Sequence, residues 1–78
     1  MNLEAIPVAL KRGCSVAHMY DEDLSTILYE FTHGDRGFML PGPRNYLWHT
    51  FQRVLTSSKW GWVSVDALDL LGGGEGDE

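Results

Sequence analysis

The chain has 78 residues, of which 44% are hydrophobic, and its formal net charge is −5. This length corresponds to one small domain with a limited core, and the apolar fraction excludes a wholly disordered chain. The acidic balance excludes the dense basic surface that binds a nucleic-acid backbone, and it favours a neutral or basic partner.

The end of the chain, GGGEGDE, differs in composition from the rest. It carries Glu75, Asp77 and Glu78, and a glycine-rich acidic end predicts a flexible tail. We therefore expect one domain over residues 1–71 and a disordered acidic tail over residues 72–78. Eight acidic and six basic residues remain in the domain, so its own charge is only mildly negative.

Cysteine content and hydropathy indicate a cytoplasmic protein. Cys14 is the one cysteine, so no internal disulfide can form, which suits a reducing compartment. The N-terminus lacks the basic and apolar regions of a signal peptide. The sequence contains no run of about 18 apolar residues, so we expect no membrane-spanning segment.

The first twenty residues predict short extended segments. Residues 2–13 fit a short strand or a broken turn of helix, because Pro7 removes a backbone donor from any helix that begins at Asn2. CSVAHMY, residues 14–20, predicts a strand from its alternating side chains.

Residues 24–33 fit two structures. Ile27, Tyr29 and Phe31 alternate with their neighbours as on a strand, whereas the apolar positions also repeat with the period of a helix. The β-branched and aromatic side chains favour the strand. The next run, THGDRGFML over residues 32–40, predicts a hairpin whose turn is Gly-Asp-Arg-Gly.

The second half of the chain predicts two helices around one strand. From Pro43, a favourable first helical residue, to Ser57, apolar side chains form a stripe with helical spacing. KWGWV, residues 59–63, predicts a strand, and a short helix follows with Ser64 as its cap and Gly72 as its stop. The elements together predict an α+β fold in which a small antiparallel meander packs against one amphipathic helix.

The stretch HGDRGFMLPGPRNYLWHTF combines three glycines, two prolines and two arginines. Arg36 in the predicted turn and Arg44 at the predicted helix start are candidates for an anion site, because helix N-termini offer free amides. The glycines lack the spacing of a phosphate-binding loop, and the prolines remove two donors. The stretch therefore favours chain turns over an anion site.

Metal-binding residue types occur without metal-binding spacing. Cys14 and His18 would lie about 13 Å apart along a strand, and neither H-x-x-x-H nor C-x-x-C occurs. We expect no metal and no cofactor. Cys14 becomes a candidate nucleophile only if the fold brings a histidine to it. The run from Asp21 to Asp23 lacks calcium-loop spacing and predicts a polar turn or a contact with a basic partner.

Aromatic residues are abundant for so short a chain. Three tryptophans, three tyrosines and three phenylalanines exceed what a small core encloses, and Tyr, Trp and Arg are common anchors of protein interfaces. Much of the core is expected from Trp48, Phe51, Trp60 and Trp62. The residues predicted to bind a protein partner are Asp21, Glu22, Asp23, Tyr29, Glu30, Tyr46, Arg53, Trp60 and Trp62.

These features predict a small acidic, non-enzymatic module that acts by stoichiometric contact with a protein that has a basic surface. Homodimerisation through an aromatic face is a companion hypothesis. In size, acidity, aromatic content and absence of catalytic motifs, the chain is similar to small phage and mobile-element inhibitors, of which anti-CRISPR proteins are the best known. That similarity implies a host nucleic-acid-binding complex as the target.

Two alternatives stay open at this point. The first is a small thiol- or anion-dependent enzyme or ligand-binding domain that uses Cys14, a histidine and Arg36. The second is a single-stranded nucleic-acid binder, in which Lys59 neighbours Trp60 and Trp62.

Overall fold

The fold consists of β-strands. A computed structural model describes residues 5–71, in which eight strands form one antiparallel sheet and a single 3-10 turn is the only helical element. The elements are β1 (Ile6–Leu10), β2 (Ala17–Tyr20), β3 (Ile27–Phe31), β4 (Gly37–Met39), β5 (Arg44–Tyr46), β6 (His49–Leu55), β7 (Trp60–Ser64), the turn Val65–Ala67, and β8 (Leu68–Leu70). The predicted α+β class is therefore wrong. The predicted tail, residues 72–78, lies outside the described residues.

The strand order shows why the sheet is not a simple meander. Across the sheet the order is β3-β2-β7-β6-β4-β1-β8, and β5 pairs with β6 off this path. Some neighbouring strands follow one another in the chain, namely β2–β3 and β5–β6–β7. Other neighbours are distant in sequence, namely β2–β7, β1–β4 and β1–β8. The strands β6 and β7 lie in the middle of the sheet, where Gln52 is opposite Val63.

The hydrophobic core lies on one face of the sheet, which we call the inner face. Its buried residues are Val8, Leu10, Ala17, Met19, Phe31, Met39, Val54, Val63 and Leu68. Phe31 on β3 reaches β4, because a Cβ atom placed on Gly37 would lie 3.3 Å from Phe31 Cε1. In a flat sheet, four strand spacings would separate these strands by about 19 Å. The sheet therefore curls around its core.

The helix predicted from Pro43 to Ser57 is wrong, because this segment forms the hairpin of β5 and β6. Phe51 and Val54 are both buried and lie three residues apart, which imitates a helical stripe. In the strand they lie on opposite faces: Val54 is in the core, and Phe51 is opposite Ser64 on the outer face. A strand that is covered on both faces carries apolar residues on both, so it lacks the alternation of apolar and polar residues by which strands are recognised in a sequence.

The predicted C-terminal helix is also wrong. Ser64 belongs to β7, and its side chain makes no capping hydrogen bond to the 3-10 turn. The chain then continues as β8, in which Leu68 is opposite Leu10 of β1. Pairing with β1, which lies almost sixty residues earlier in the chain, outweighs the local capping pattern. The sequence around Ser64 does not indicate this long-range pairing.

Several shorter predictions are confirmed in part. The strands expected in residues 14–20, 24–33 and 59–63 occur as β2, β3 and β7. The strand alternative for residues 2–13 is correct, since β1 carries Pro7 opposite Phe38. The hairpin expected around Gly34–Gly37 is wrong in its pairing, because β3 pairs with β2 and β4 pairs with β1 and β6.

We predict that Gly61→Ala destabilises the fold by about 1–3 kcal/mol, the usual cost of overpacking a core. A Cβ atom at Gly61 would lie 2.7 Å from Met19 Cβ and 3.0 Å from the Met19 carbonyl carbon, so β2 and β7 would have to separate. Thermal and denaturant unfolding measure the loss. Gly34→Ala is the matched control, because nothing lies within 4 Å of its Cβ position. Equal stability of the two variants would contradict the close packing.

Candidate protein-binding surface

The outer face of the sheet carries most of the candidate residues. Arg53 is opposite Trp62, and Trp62 is also opposite Tyr20, so these three side chains share the face turned away from the core. Towards one end of the same face, Leu55 lies between Phe38 and Trp60 in a row across three strands. Those three apolar side chains are exposed.

Two arginines cover one tryptophan on this face. The guanidinium carbons of Arg44 and Arg53 lie 4.8 and 5.0 Å from the centre of the Trp62 ring, a favourable cation–π geometry. Glu22 holds both arginines: its carboxylate accepts from Arg53 Nη2 at 3.3 Å, and its backbone carbonyl accepts from Arg44. Trp62 is only 5% exposed, so its ring packs against residues of the same chain and is not accessible to a partner.

The tip of the β5–β6 hairpin projects apolar side chains into solvent. Tyr46 pairs with His49, which leaves Leu47 and Trp48 as a two-residue turn. Tyr46, Leu47 and Trp48 are 50%, 74% and 92% exposed. Leu47 has a φ of 57°, a conformation that two-residue turns normally assign to glycine or asparagine and that costs about 1–2 kcal/mol for other residues. We call residues 46–48 the tip.

A small hollow adjoins the tip on the outer face. Its volume is about 190 Å³, and its lining residues are Ala17, His18, Tyr20, His49, Phe51, Ser64 and Ala67. The rings around it form an edge-to-face series, with centroid distances of 6.2 Å for His18–Tyr20, 5.9 Å for Tyr20–Phe51 and 6.2 Å for His49–Phe51. Such contacts fix ring orientations. We call this hollow the ring pocket.

A larger groove of about 520 Å³ lies near the row formed by Phe38, Leu55 and Trp60. It is lined by Gly34, Asp35, Arg36, Phe38, Leu55, Thr56, Ser57 and Ser58. One wall is fixed by Asp35, whose Oδ2 accepts from Lys59 Nζ at 3.0 Å and from the Thr32 backbone N–H at 2.8 Å. The Thr32 amide is the main cause, followed by Lys59, of a lowered pKa for Asp35.

The predicted acidic residues have different roles in the structure. Asp21 Oδ1 accepts backbone hydrogen bonds from Asp23, Ser25 and Thr26, and these donors, the Ser25 amide first, lower the pKa of Asp21. Asp21 therefore shapes the loop between β2 and β3, and Glu22 holds the two arginines. Asp23 and Glu30 have exposed side chains.

The two predicted anion-binding arginines go to different places. Arg44 joins Arg53 on the Trp62 ring, whereas Arg36 Nη1 donates to the backbone carbonyl of Asp35 beside the groove. Arg36 and Arg44 share no hydrogen-bond acceptor among residues 5–71. An anion site shared by both stays a prediction.

Three of the predicted partner-binding residues come together, namely Glu22, Arg53 and Trp62, and the structure adds Arg44 to them. Tyr46 belongs to the tip, Trp60 to the row on the outer face, and Tyr29 to edge strand β3, where it is opposite Met19.

Sequence reasoning missed the importance of Trp48 and His49. Trp48 was expected in the core, which is wrong, since it is the most exposed large apolar side chain among those described. A turn made of Leu and Trp has neither the glycine nor the asparagine that marks a two-residue hairpin, so the sequence held no turn signal here.

The residues proposed for thiol chemistry meet through the backbone. His33 Nε2 donates to the Cys14 carbonyl oxygen at 2.6 Å, and Cys14 is half-buried against the core.

Within residues 5–71, no three His, Cys, Asp or Glu side chains lie close enough to hold a metal ion. Over the same range, no helix is long and apolar enough to cross a membrane.

Comparison with protein-family models, with curated proteins and with solved structures finds no match to this chain. The functional argument therefore depends on the chain's own residues.

We predict that Asp35→Asn lowers the free energy of unfolding near neutral pH by about 1 kcal/mol, because the ion pair with Lys59 is partly exposed. A pKa that is lowered in the folded state stabilises the protein above the ordinary aspartate pKa, and this stability is lost as the pH falls through the folded value. The difference in melting temperature between wild type and variant should therefore vanish on acidification.

The control for this experiment is Asp23→Asn, which removes an exposed carboxylate. It should leave the pH profile of stability close to that of the wild type. A difference between Asp35→Asn and wild type that persists unchanged in strong acid would contradict the assigned role of Asp35.

Proposed function

We propose that the chain is a non-enzymatic protein-binding module whose tip inserts into an apolar pocket of its partner. The observation that carries the proposal is Trp48, 92% exposed on a turn in which Leu47 has a positive φ. Strained backbone that is retained in a folded protein is a reason to look for function. Here the strained turn keeps a large apolar ring in water.

The energetics of the tip favour binding. Burying a large apolar side chain contributes about 1.5–3 kcal/mol, and Trp and Tyr are the commonest interface anchors. The tip is anchored by the pair of Tyr46 on β5 and His49 on β6, and β6 also pairs with β7 and β4. Its position is therefore fixed before binding, which reduces the entropy lost on association.

The charge of the chain supports a partner with a basic surface. The net charge is −5, and Asp23 and Glu30 present exposed carboxylates. A stoichiometric inhibitor that covers a basic, nucleic-acid-binding surface of another protein fits this chemistry. The single cysteine, Cys14, supports action in a reducing cytoplasm.

We predict that Trp48→Ala weakens partner binding by at least about tenfold, the loss typical of an interface anchor, and leaves the melting temperature unchanged because Trp48 is exposed. The partner is isolated with tagged wild-type protein from the cells in which the gene occurs, purified, and titrated by calorimetry. Leu70→Ala, which truncates an exposed apolar side chain on edge strand β8, is the matched control and should bind normally.

A second pair of variants separates function from packing. Leu47→Gly should relieve the backbone strain and raise the melting temperature, yet weaken binding through loss of the apolar side chain and of turn rigidity. Leu24 has a φ of 59° in the β2–β3 loop, so Leu24→Gly relieves similar strain without touching the tip. If tagged Trp48→Ala isolates the same proteins as tagged wild type, and in equal amounts, the proposal is wrong.

A further inference from the structure

We propose that the ring pocket receives a lysine or arginine side chain of the protein partner. This inference rests on the proposed protein-binding function, but it concerns a cavity separate from the tip. It is argued from the shape of the pocket, from the charges at its rim and from its position.

The pocket exists because a small residue stands among large ones. Phe51 on β6 is opposite Ser64 on β7. Trp62 is opposite Tyr20, so the antiparallel register places His18, two residues before Tyr20, beside Ser64 from the other strand. The Ser64 side chain is short, and the gap above it is walled by the rings of its neighbours.

Two exposed carboxylates neighbour the histidines that line this gap. Asp66 Oδ2 lies 3.7 Å from His49 Nδ1, with both side chains largely exposed. Glu30 is opposite His18 across the β2–β3 pair, so its carboxylate lies on the same face as the His18 ring. Both carboxylates are open to solvent and available to a cation that enters the pocket.

The cations near this site are already engaged. Lys59 Nζ donates to the Glu30 backbone carbonyl and to Asp35 Oδ2. Arg44 and Arg53 lie over Trp62, and Glu22 binds both. Their guanidinium groups lie over the Trp62 ring, and Arg44 is opposite Phe51 in the β5–β6 pair. The exposed carboxylates next to the pocket are those of Glu30 and Asp66.

A long basic side chain fits this combination best. Its methylene stem can pack on Phe51 and Ala67 while its charged end stays at the rim, and a cation gains from aromatic ring faces. A neutral apolar side chain would leave both carboxylates unused. An acidic side chain would meet like charge from Glu30 and Asp66.

The position of the pocket connects it with the tip. His49 lines the pocket and pairs with Tyr46, so the two features form one continuous surface. A partner that takes Trp48 therefore has its neighbouring side chains above the ring pocket. This sets the partner's chemistry: an apolar pocket with a lysine or arginine beside it.

The experiment uses the isolated chain and small probes, so it does not need the partner. N-acetyl-lysine methylamide and N-acetyl-arginine methylamide are titrated while amide NMR signals are recorded, with N-acetyl-leucine methylamide as the neutral probe. The basic probes should shift the signals of Ala17, Phe51, Ser64 and Ala67. The neutral probe should shift them much less.

Two variants test the assigned contacts. The double variant Glu30→Gln/Asp66→Asn, at exposed positions, should weaken binding of the basic probes by about threefold to tenfold, and Asp23→Asn should not change it. Ser64→Leu fills the gap and should abolish the shifts, provided that its melting temperature shows a folded protein.

Every outcome decides the question. Equal shifts with the leucine and lysine probes, or no change in the double variant, would overturn the cation assignment. Absence of shifts with all probes would overturn the pocket as a binding site. The variant Trp48→Ala should bind the basic probes normally, so failure of the tip proposal and failure of the pocket proposal are distinguishable.

Discussion

The structure depends on the pairing of β6 with β7, which is covered on both of its faces. On the inner face, Val54 and Val63 are completely buried in the core. On the outer face, Phe51 and Trp62 are almost as well buried, although the main core does not contain them. Two arginines and the β2–β3 loop supply this outer cover, with Glu22 as the shared acceptor. A small domain gains stability by burying apolar area on both sides of its central strands.

The proposed binding surface lies where this outer cover ends. Beyond Tyr46 the hairpin continues into a turn that no other element within residues 5–71 covers, and Trp48 is exposed there. At Ser64 the row of large side chains is interrupted, and the ring pocket opens between the neighbouring strands. Covered rings hold the sheet together, and uncovered rings beside them are free to contact another molecule. Stability and binding therefore use adjacent parts of one face.

Sequence reasoning identified β2, β3 and β7 from alternating, β-branched and aromatic side chains. It failed for β6, because burial of both Phe51 and Val54 produced a spacing typical of a helix. It failed after Ser64 for a different reason: the pairing of Leu68 with Leu10 is a long-range contact that local patterns do not encode. The same limits apply to the site. Residue type alone selected Glu22, Arg53 and Trp62, which the structure brings together, but it placed Trp48 in the core, because a Leu-Trp turn carries no recognisable turn signal.

The central claim is that residues 44–55 form a hairpin that holds Trp48 in solvent. A NOESY spectrum of the isolated chain tests this most directly. The account predicts cross-strand contacts between Asn45 and Thr50 and between Gln52 and Val63, together with a Trp48 indole proton in rapid exchange with water. Continuous sequential amide–amide contacts through this segment, as in a helix, with a protected Trp48 indole would contradict it.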